Sequence, residues 1–255
     1  MILDSWIDAL AWEEAIERVI SWGTSRTPRY VCVCNVHSVV TATRDAAFKR
    51  ALMGADLATC DGAPIAWMMR RLGYPDQERI AGPDLMWRYL RAVEPLRHRI
   101  YLYGSTEETL VKLRAALARE FPGVVVAGMH SPAFDGFRPV DDEGDVAAIN
   151  SSGANVVFVG LGCPKQERWM AEHRERVNAV MIGVGAAFDY HAGTLARAPG
   201  WCQRHGLEWL YRLACEPRRL MRRYLVTNSL FLVGAARQLA NSRFANWRAT
   251  RAVAR

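Results

Sequence analysis

Several signatures that would settle a class at once are missing from this 255-residue chain. The six cysteines (Cys32, Cys34, Cys60, Cys163, Cys202 and Cys215) form no C-x-x-C pair, and most stand inside apolar runs, which argues against a disulfide framework. They read as reduced thiols of a cytosolic protein. No stretch reaches the roughly 20 apolar residues of a membrane-spanning helix. The best candidate, Ser229 to Ala236, is bounded by Asn228 and Arg237. The N-terminus carries Asp4, Asp8, Glu13 and Glu14 where an export signal needs a basic start and an unbroken apolar stretch. There is no G-x-x-x-x-G-K-[ST] loop and no internal repeat or low-complexity tract. The two loops closest to a dinucleotide fingerprint fail at its third glycine, where Lys165 and Phe188 stand, so a nicotinamide or flavin enzyme is disfavoured. No D-x-D pair is present to hold a divalent ion. The acidic run Asp141-Asp142-Glu143-Gly144-Asp145 is expected to open a helix, where acids suit the dipole.

What is present is an ordinary globular composition, 51% hydrophobic and 23% charged. Apolar runs of strand length alternate with segments of helical period, the rhythm of βαβ units and a parallel sheet. Strands are expected at Tyr30–Asn35, Ala55–Cys60, Arg99–Tyr103, Val124–Met129, Asn155–Gly160 and Ala179–Gly183. Helices are expected from about Ser38 to Met53, after Pro64, after Pro83, and from Thr106 to the residue before Pro122. After about residue 200 no strand signal returns, and the segment reads as helices broken near Pro217. The expected architecture is an α/β, Rossmann-like, mostly parallel sheet flanked by helices over residues 1–200. An arginine-rich helical appendage follows over 201–255.

Charge follows the same division. From Trp209 to Arg255 there are ten arginines, no lysine and one acid, Glu216, a net +9 in a chain whose total is +7. A nearly neutral body with a cationic tail calls for a polyanionic partner, with phosphates, anionic lipid and nucleic acid all eligible. Apolar Leu220, Leu225, Leu230, Phe231, Leu232 and Val233 interleave with those arginines, which suits a helix lying in a headgroup layer. A core-packed helix with a solvated arginine face would show the same pattern.

In an open parallel sheet, ligands bind beyond the carboxyl ends of the strands. The residues there are Asn35-Val36-His37, Asp61-Gly62, Gly104-Ser105, Gly160-Leu161-Gly162-Cys163-Pro164-Lys165-Gln166-Glu167 and Gly183-Val184-Gly185-Ala186-Ala187-Phe188-Asp189. Glycine turns let backbone N–H groups approach phosphate oxygens, and a helix opened by Pro164 would turn its positive end to the same anion. Asp61 is placed either to take a proton from an attacking hydroxyl or to cap the helix near Pro64. His37 is a rival base or a hydrogen-bonded structural residue. Asn35 and Gln166 are amides of the kind that hold sugar hydroxyls. Arg79 either pairs with a diphosphate or is a surface charge.

Taken in order, Asp61-Gly62-Ala63-Pro64, Glu78-Arg79-Ile80-Ala81-Gly82-Pro83-Asp84-Leu85, the two glycine-rich loops, Arg197-Ala198-Pro199 and Glu208-Trp209-Leu210-Tyr211-Arg212-Leu213 through Glu216-Pro217-Arg218-Arg219 resemble the WecG/TagA/CpsF family of bacterial glycosyltransferases, glycosyltransferase family 26. The resemblance runs from about residue 30 to 225. It implies inverting, metal-independent transfer from a UDP-sugar to a saccharide on undecaprenyl diphosphate, with no cofactor, at the inner face of the cell membrane. It implies that Asp61 is the catalytic base and that Asn35 and Gln166 make the amide contacts, beside His37 and Arg79. It also implies nucleotide contacts at Gly185 and Asp189, to which the strand-end turns add Gly104, Gly162, Pro164 and Lys165 as UDP-binding candidates, with Arg212, Arg219 and Arg222 closing over the site from the appendage and Arg218 and Arg223 adjacent. An anionic membrane surface and a homo-oligomer are implied as partners, and nucleic acid is not. Val33 stands where the family commonly has threonine, so the sugar contact at that point departs from the pattern. The rival readings are a nucleotide-sugar-binding module without catalysis and a nucleic-acid-binding protein.

Overall fold

The structure, a computed structural model, describes the backbone of residues 1–136 and 138–253 and the side chains of 1–136 and 139–241. Arg243, Arg248, Arg251 and Arg255 of the cationic tail therefore lie outside the described side chains.

Six strands form one all-parallel sheet: β1 (Arg29–Cys34), β2 (Leu57–Cys60), β3 (Arg99–Gly104), β4 (Val125–His130), β7 (Val156–Gly160) and β8 (Val180–Gly183). Their order is β2-β1-β8-β7-β3-β4. A two-residue hairpin, β5 (Phe134–Asp135) with β6 (Arg138–Pro139), stands apart. Alternation in the strands splits the core into two layers. Tyr30, Cys32 and Cys34 face one way with Tyr101, Tyr103 and Trp169, while Val31, Val33, Leu102 and Phe158 face the other. All six expected strands are present, each within two residues of its expected bounds.

The helices are α1 (Trp12–Thr24), α2 (Val36–Ala42), α3 (Ala46–Met53), α4 (Ala63–Arg71), α5 (Gly82–Val93), α6 (Glu107–Glu120), α7 (Asp142–Ser152), α8 (Lys165–His173), α9 (Ala187–Ala192), α10 (Gly200–Arg204), α11 (Glu208–Cys215) and α12 (Pro217–Val253). One expectation needs correction: Ser38 to Met53 is two helices. Asp45 ends the first by capping the second, its carboxylate accepting from the Ala47 and Phe48 backbone N–H groups at 3.0 Å. The acidic run does open a helix, with Asp141 capping Gly144 N–H at 3.1 Å.

Strand order creates the crevice. The path from β3 leads outward to β4, whereas the path from β7 leads inward to β8, so connections diverge between β3 and β7. There Gly104 (φ 114°) lies so close to Gly160 that a Cβ on it would meet the Gly160 carbonyl carbon at 2.7 Å. Both the left-handed backbone and the close approach demand glycine.

The C-terminal helices cover this end of the sheet. Leu220, Thr227, Phe231 and Ala235, spaced by seven and four, are buried and set one face of α12 on the body, where it packs against α2. Each large apolar side chain so buried contributes about 1.5–3 kcal/mol. Gly234 lies on Leu3, and the Gln238 amide holds the chain's beginning, accepting from Leu3 N–H at 3.0 Å and donating to the Met1 carbonyl at 2.8 Å. The opposite face leaves Met221, Leu225, Leu232 and Val233 exposed. Among the described residues no helix is long and apolar enough to cross a membrane.

Candidate active site at the carboxyl edge of the sheet

Asp61 follows the last residue of β2, and its backbone N–H donates to the Cys34 carbonyl at 2.8 Å, which adds one rung to the sheet. Gly62, at φ 91°, then turns the chain into α4 and is itself that helix's N-cap, with no side-chain cap bond. Asp61 is therefore not a cap, and the alternative left open by its position is closed. Burial is the main influence on its carboxyl and pushes the pKa up to about 6. Arg79 and Arg212 pull it down, and Glu208 and Asp84 push it further up. A carboxylate with a pKa near 6 is ionised at neutral pH and basic enough to accept a proton.

The charges around Asp61 are paired. Arg79 is mostly buried, bonds Glu208 at 2.6 Å and approaches Asp84 at 3.8 Å, so it is not a surface charge. Arg197 forks onto both Asp84 oxygens at 2.7 and 2.6 Å. Arg212 stands over the Tyr190 ring at 5.8 Å. Its Nε is buried without a hydrogen-bond partner, as is the Tyr190 hydroxyl. Since Glu208 and Arg212 belong to α11, the appendage is seated on the Asp61 loop. Gly206 (φ 71°) makes the approach possible, because a Cβ there would meet Ala63 Cβ at 2.7 Å.

The two glycine-rich loops meet at Gln166, which is 4% exposed. Its Oε1 accepts from Gly162 N–H at 3.2 Å, and its Nε2 donates to Glu167 Oε1 at 3.0 Å. A Cβ on Gly185 (φ 53°) would lie 3.7 Å from the same Oε1. Glu167 is fully buried, which raises its carboxyl to about 7, and its bond to Nε2 fixes which way the Gln166 amide points. Gly162 (φ 78°) has open space where a side chain would be. Pro164 sits just before α8 and Lys165 is its first residue, with the ammonium 4.9 Å from the Phe134 ring centroid. Across the crevice Asp189 accepts from Ser105 Oγ at 3.3 Å and Thr109 Oγ1 at 3.5 Å, tying the β8 loop to the turn after Gly104.

Asn35 lies beside the Gly62 turn, but its Oδ1 is committed as the cap of α2, accepting from His37 and Ser38 N–H at 3.0 and 3.2 Å. A ligand contact from Asn35 thus falls to its Nδ2 donor. His37 is in the first turn of α2, and burial, reinforced by Arg223, lowers it to about 4, so it is neutral at physiological pH. It does not join the Asp61 cluster. With Arg219 and Arg222 it lines a separate cavity, so the three arginines expected to act together divide, with Arg212 on the Asp61 side.

Sequence reasoning did not single out Glu208, Asp84, Arg197 and Tyr190, although all four stand in or beside the motif blocks. It also passed over Arg44, and it named Arg223 only as a neighbour of the appendage arginines.

A profile of the WecG/TagA/CpsF glycosyl transferase family matches residues 1–245. Among curated proteins, the N-acetylglucosaminyldiphosphoundecaprenol N-acetyl-beta-D-mannosaminyltransferase of Bacillus spizizenii W23 is 32% identical over 195 residues, 76% of this chain and 74% of the relative. The protein of the same name from Staphylococcus aureus NCTC 8325 is 28% identical over 210 residues, 82% of this chain and 81% of the relative. With its motif blocks gathered at one edge of a parallel sheet and the family profile spanning nearly its whole length, the chain belongs to the WecG/TagA/CpsF family and is a glycosyltransferase.

Proposed function

We propose that the protein moves a sugar from a UDP-sugar to a saccharide carried on undecaprenyl diphosphate, with inversion and without a metal ion, in bacterial surface-polysaccharide synthesis. The observation that carries this reading is the state of Asp61, a half-buried, uncapped carboxylate beside two guanidinium groups, with a pKa of about 6. The names of the Bacillus and Staphylococcus relatives, which specify a diphosphoundecaprenol acceptor, support the acceptor class.

In the proposed step Asp61 takes the proton of the acceptor hydroxyl as that oxygen bonds the donor's anomeric carbon. The bond from that carbon to the diphosphate breaks on the opposite face, and UDP leaves with the electron pair. Charge on the leaving diphosphate grows as the bond breaks, so donors already in place stabilise the transition state more than the ground state. Arg212, whose Nε is buried without a partner, is the donor offered. Asp189 and Gly104 would frame the nucleoside, and Gln166 and the Asn35 Nδ2 the sugars.

A lipid-borne acceptor requires work at a membrane surface. The outward face of α12, with Leu225 and Leu232 exposed between Arg218, Arg222 and Arg237, suits insertion among anionic headgroups. The decisive experiment presents UDP-sugars in turn with a synthetic polyprenyl-diphosphate-linked acceptor. One donor is expected to be consumed by wild type and not by Asp61→Asn, while both bind UDP. A fully active Asp61→Asn enzyme would refute the assignment.

A further inference from the structure

Asp189, Tyr190 and His191 are consecutive on α9, and the outer two are spent on holding that helix in place. Asp189 accepts from Ser105 Oγ at 3.3 Å and Thr109 Oγ1 at 3.5 Å. His191 donates from Nε2 to the Pro83 carbonyl at 3.0 Å and stacks on Trp87 with ring centroids 3.6 Å apart. Tyr190, fixed between them, keeps its hydroxyl unspent. The Arg212 guanidinium stands over its ring at 5.8 Å, and among the described residues neither the Tyr190 hydroxyl nor Arg212 Nε, both buried, has a hydrogen-bond partner. Buried polar groups in folded proteins are nearly always bonded, so two that are not, facing each other beside a candidate base, mark a place where a ligand completes the bonding.

The surrounding charge narrows what that ligand is. Arg212, Glu208 and Arg197 act on the Tyr190 hydroxyl, and Arg79, Glu208, Asp84 and Arg212 act on Asp61. Asp61, Asp84 and Glu208 thus stand against Arg79, Arg197 and Arg212, three acids against three bases. A balanced surrounding does not select an anion, whereas it suits an uncharged ligand rich in hydroxyls. Burial pushes the Tyr190 hydroxyl up to about 12, so it stays protonated and donates.

We infer that Tyr190 is a sugar-binding residue of the donor site, its phenolic O–H donating to an oxygen of the sugar to be transferred. The inference rests on the transfer reading above, which places the nucleoside at Asp189 and the base at Asp61. The sugar joined to that nucleotide lies between the two, where Tyr190 stands. Arg212 of α11 covers the ring, and none of the residues of α11 is buried, so this helix gives way to a ligand at little cost.

The test uses the full-length protein with Tyr190→Phe, which keeps the ring under Arg212 and removes only the hydroxyl. UDP and each UDP-sugar of the panel are titrated calorimetrically without acceptor, melts are recorded without ligand, and KM is measured for the polyprenyl-diphosphate-linked acceptor. The melting temperature should hold or rise, because no described residue is bonded to the hydroxyl. UDP affinity and the acceptor KM should be unchanged. Affinity for the UDP-sugar that wild type consumes should fall about 3- to 10-fold, the loss of one neutral hydrogen bond, and its kcat/KM by at least as much. A lowered melting temperature would show a bond within the protein and overturns the inference. So do equal weakening of UDP and UDP-sugar, unchanged affinity for both, and a loss confined to the acceptor KM. If wild type transfers no sugar at all, the transfer reading fails. The role of Tyr190 is then decided by whether any UDP-sugar binds wild type more tightly than UDP does and loses that margin in Tyr190→Phe; the absence of such a margin overturns it.

Discussion

Two arginine clusters sit side by side under the C-terminal helices, and they are built on opposite plans. Around Asp61 every guanidinium has a carboxylate within reach: Arg79 has Glu208 and Asp84, Arg197 has Asp84, and Arg212 has Glu216 at 3.9 Å. Around His37, Arg44, Arg222 and Arg223 have none among the described residues. The balanced cluster is suited to setting a pKa, because opposed charges hold a half-buried carboxylate between protonated and ionised forms. The unbalanced cluster is suited to attracting an anion, because among the described residues only Arg219 in it has an acid partner, Glu216. The two clusters, each drawing arginines from the cationic segment and from the body, thus differ in where the acids are.

The comparison breaks most completely at Asp61. Asp61→Asn should lower kcat by about a thousandfold or more, with UDP affinity by calorimetry unchanged. The same replacement should stabilise the fold at neutral pH. A carboxyl raised in the folded state binds its proton more tightly there than in the unfolded chain, so folding stability declines as pH rises from about 4 through about 6. Asn removes that decline, and thermal melts should show a gain of up to about 3 kcal/mol at pH 7 that vanishes near pH 4.

Disturbing the balance without removing the base should have an intermediate effect. Arg79→Ala leaves only Arg212 to oppose Glu208 and Asp84, which then push Asp61 further up, and kcat/KM should fall about 10- to 100-fold at pH 7. The acid limb of the pH profile, expected near pH 6 in wild type, should move to higher pH in this variant. Glu208→Gln removes an acid instead, and its limb should move to lower pH. Limbs that stay in place in both variants would separate Asp61 from the charges assigned to it.

The smallest effect is expected outside both clusters. Leu225→Glu with Leu232→Glu alters side chains that are 63% and 67% exposed, so folding should change by less than about 0.5 kcal/mol. Flotation with anionic vesicles should weaken several-fold while UDP binding is retained. Wild-type flotation would restrict the outward face of α12 to a solvated surface.

The fold was legible because each strand is a short apolar run, all but β4 closed by Gly, Asn or Asp, and the helices between carry their own start signals. Pro64 and Pro83 open α4 and α5, and Thr106 caps α6 by accepting from Thr109 N–H at 3.2 Å. The break at Asp45 was missed because apolar residues continue at helical spacing on both sides of it. Asp61 was legible as a strand-end acid, but not its freedom from capping, which depends on Gly62 taking φ 91°. Which arginine meets which acid was not legible at all. Arg79 and Glu208 are 129 positions apart, and only the seating of α11 on the turn after β2 joins them.

The grip of Gln238 on the first residues of the chain makes the N-terminus a gauge for the far end of the molecule. If α12 lifts from the body when substrate enters or when a bilayer is met, the Leu3 amide loses its acceptor and its proton should exchange faster with solvent. A fusion placed directly before Met1 would crowd that same contact, so an affinity handle belongs elsewhere if the helix is to be caught in its natural seat.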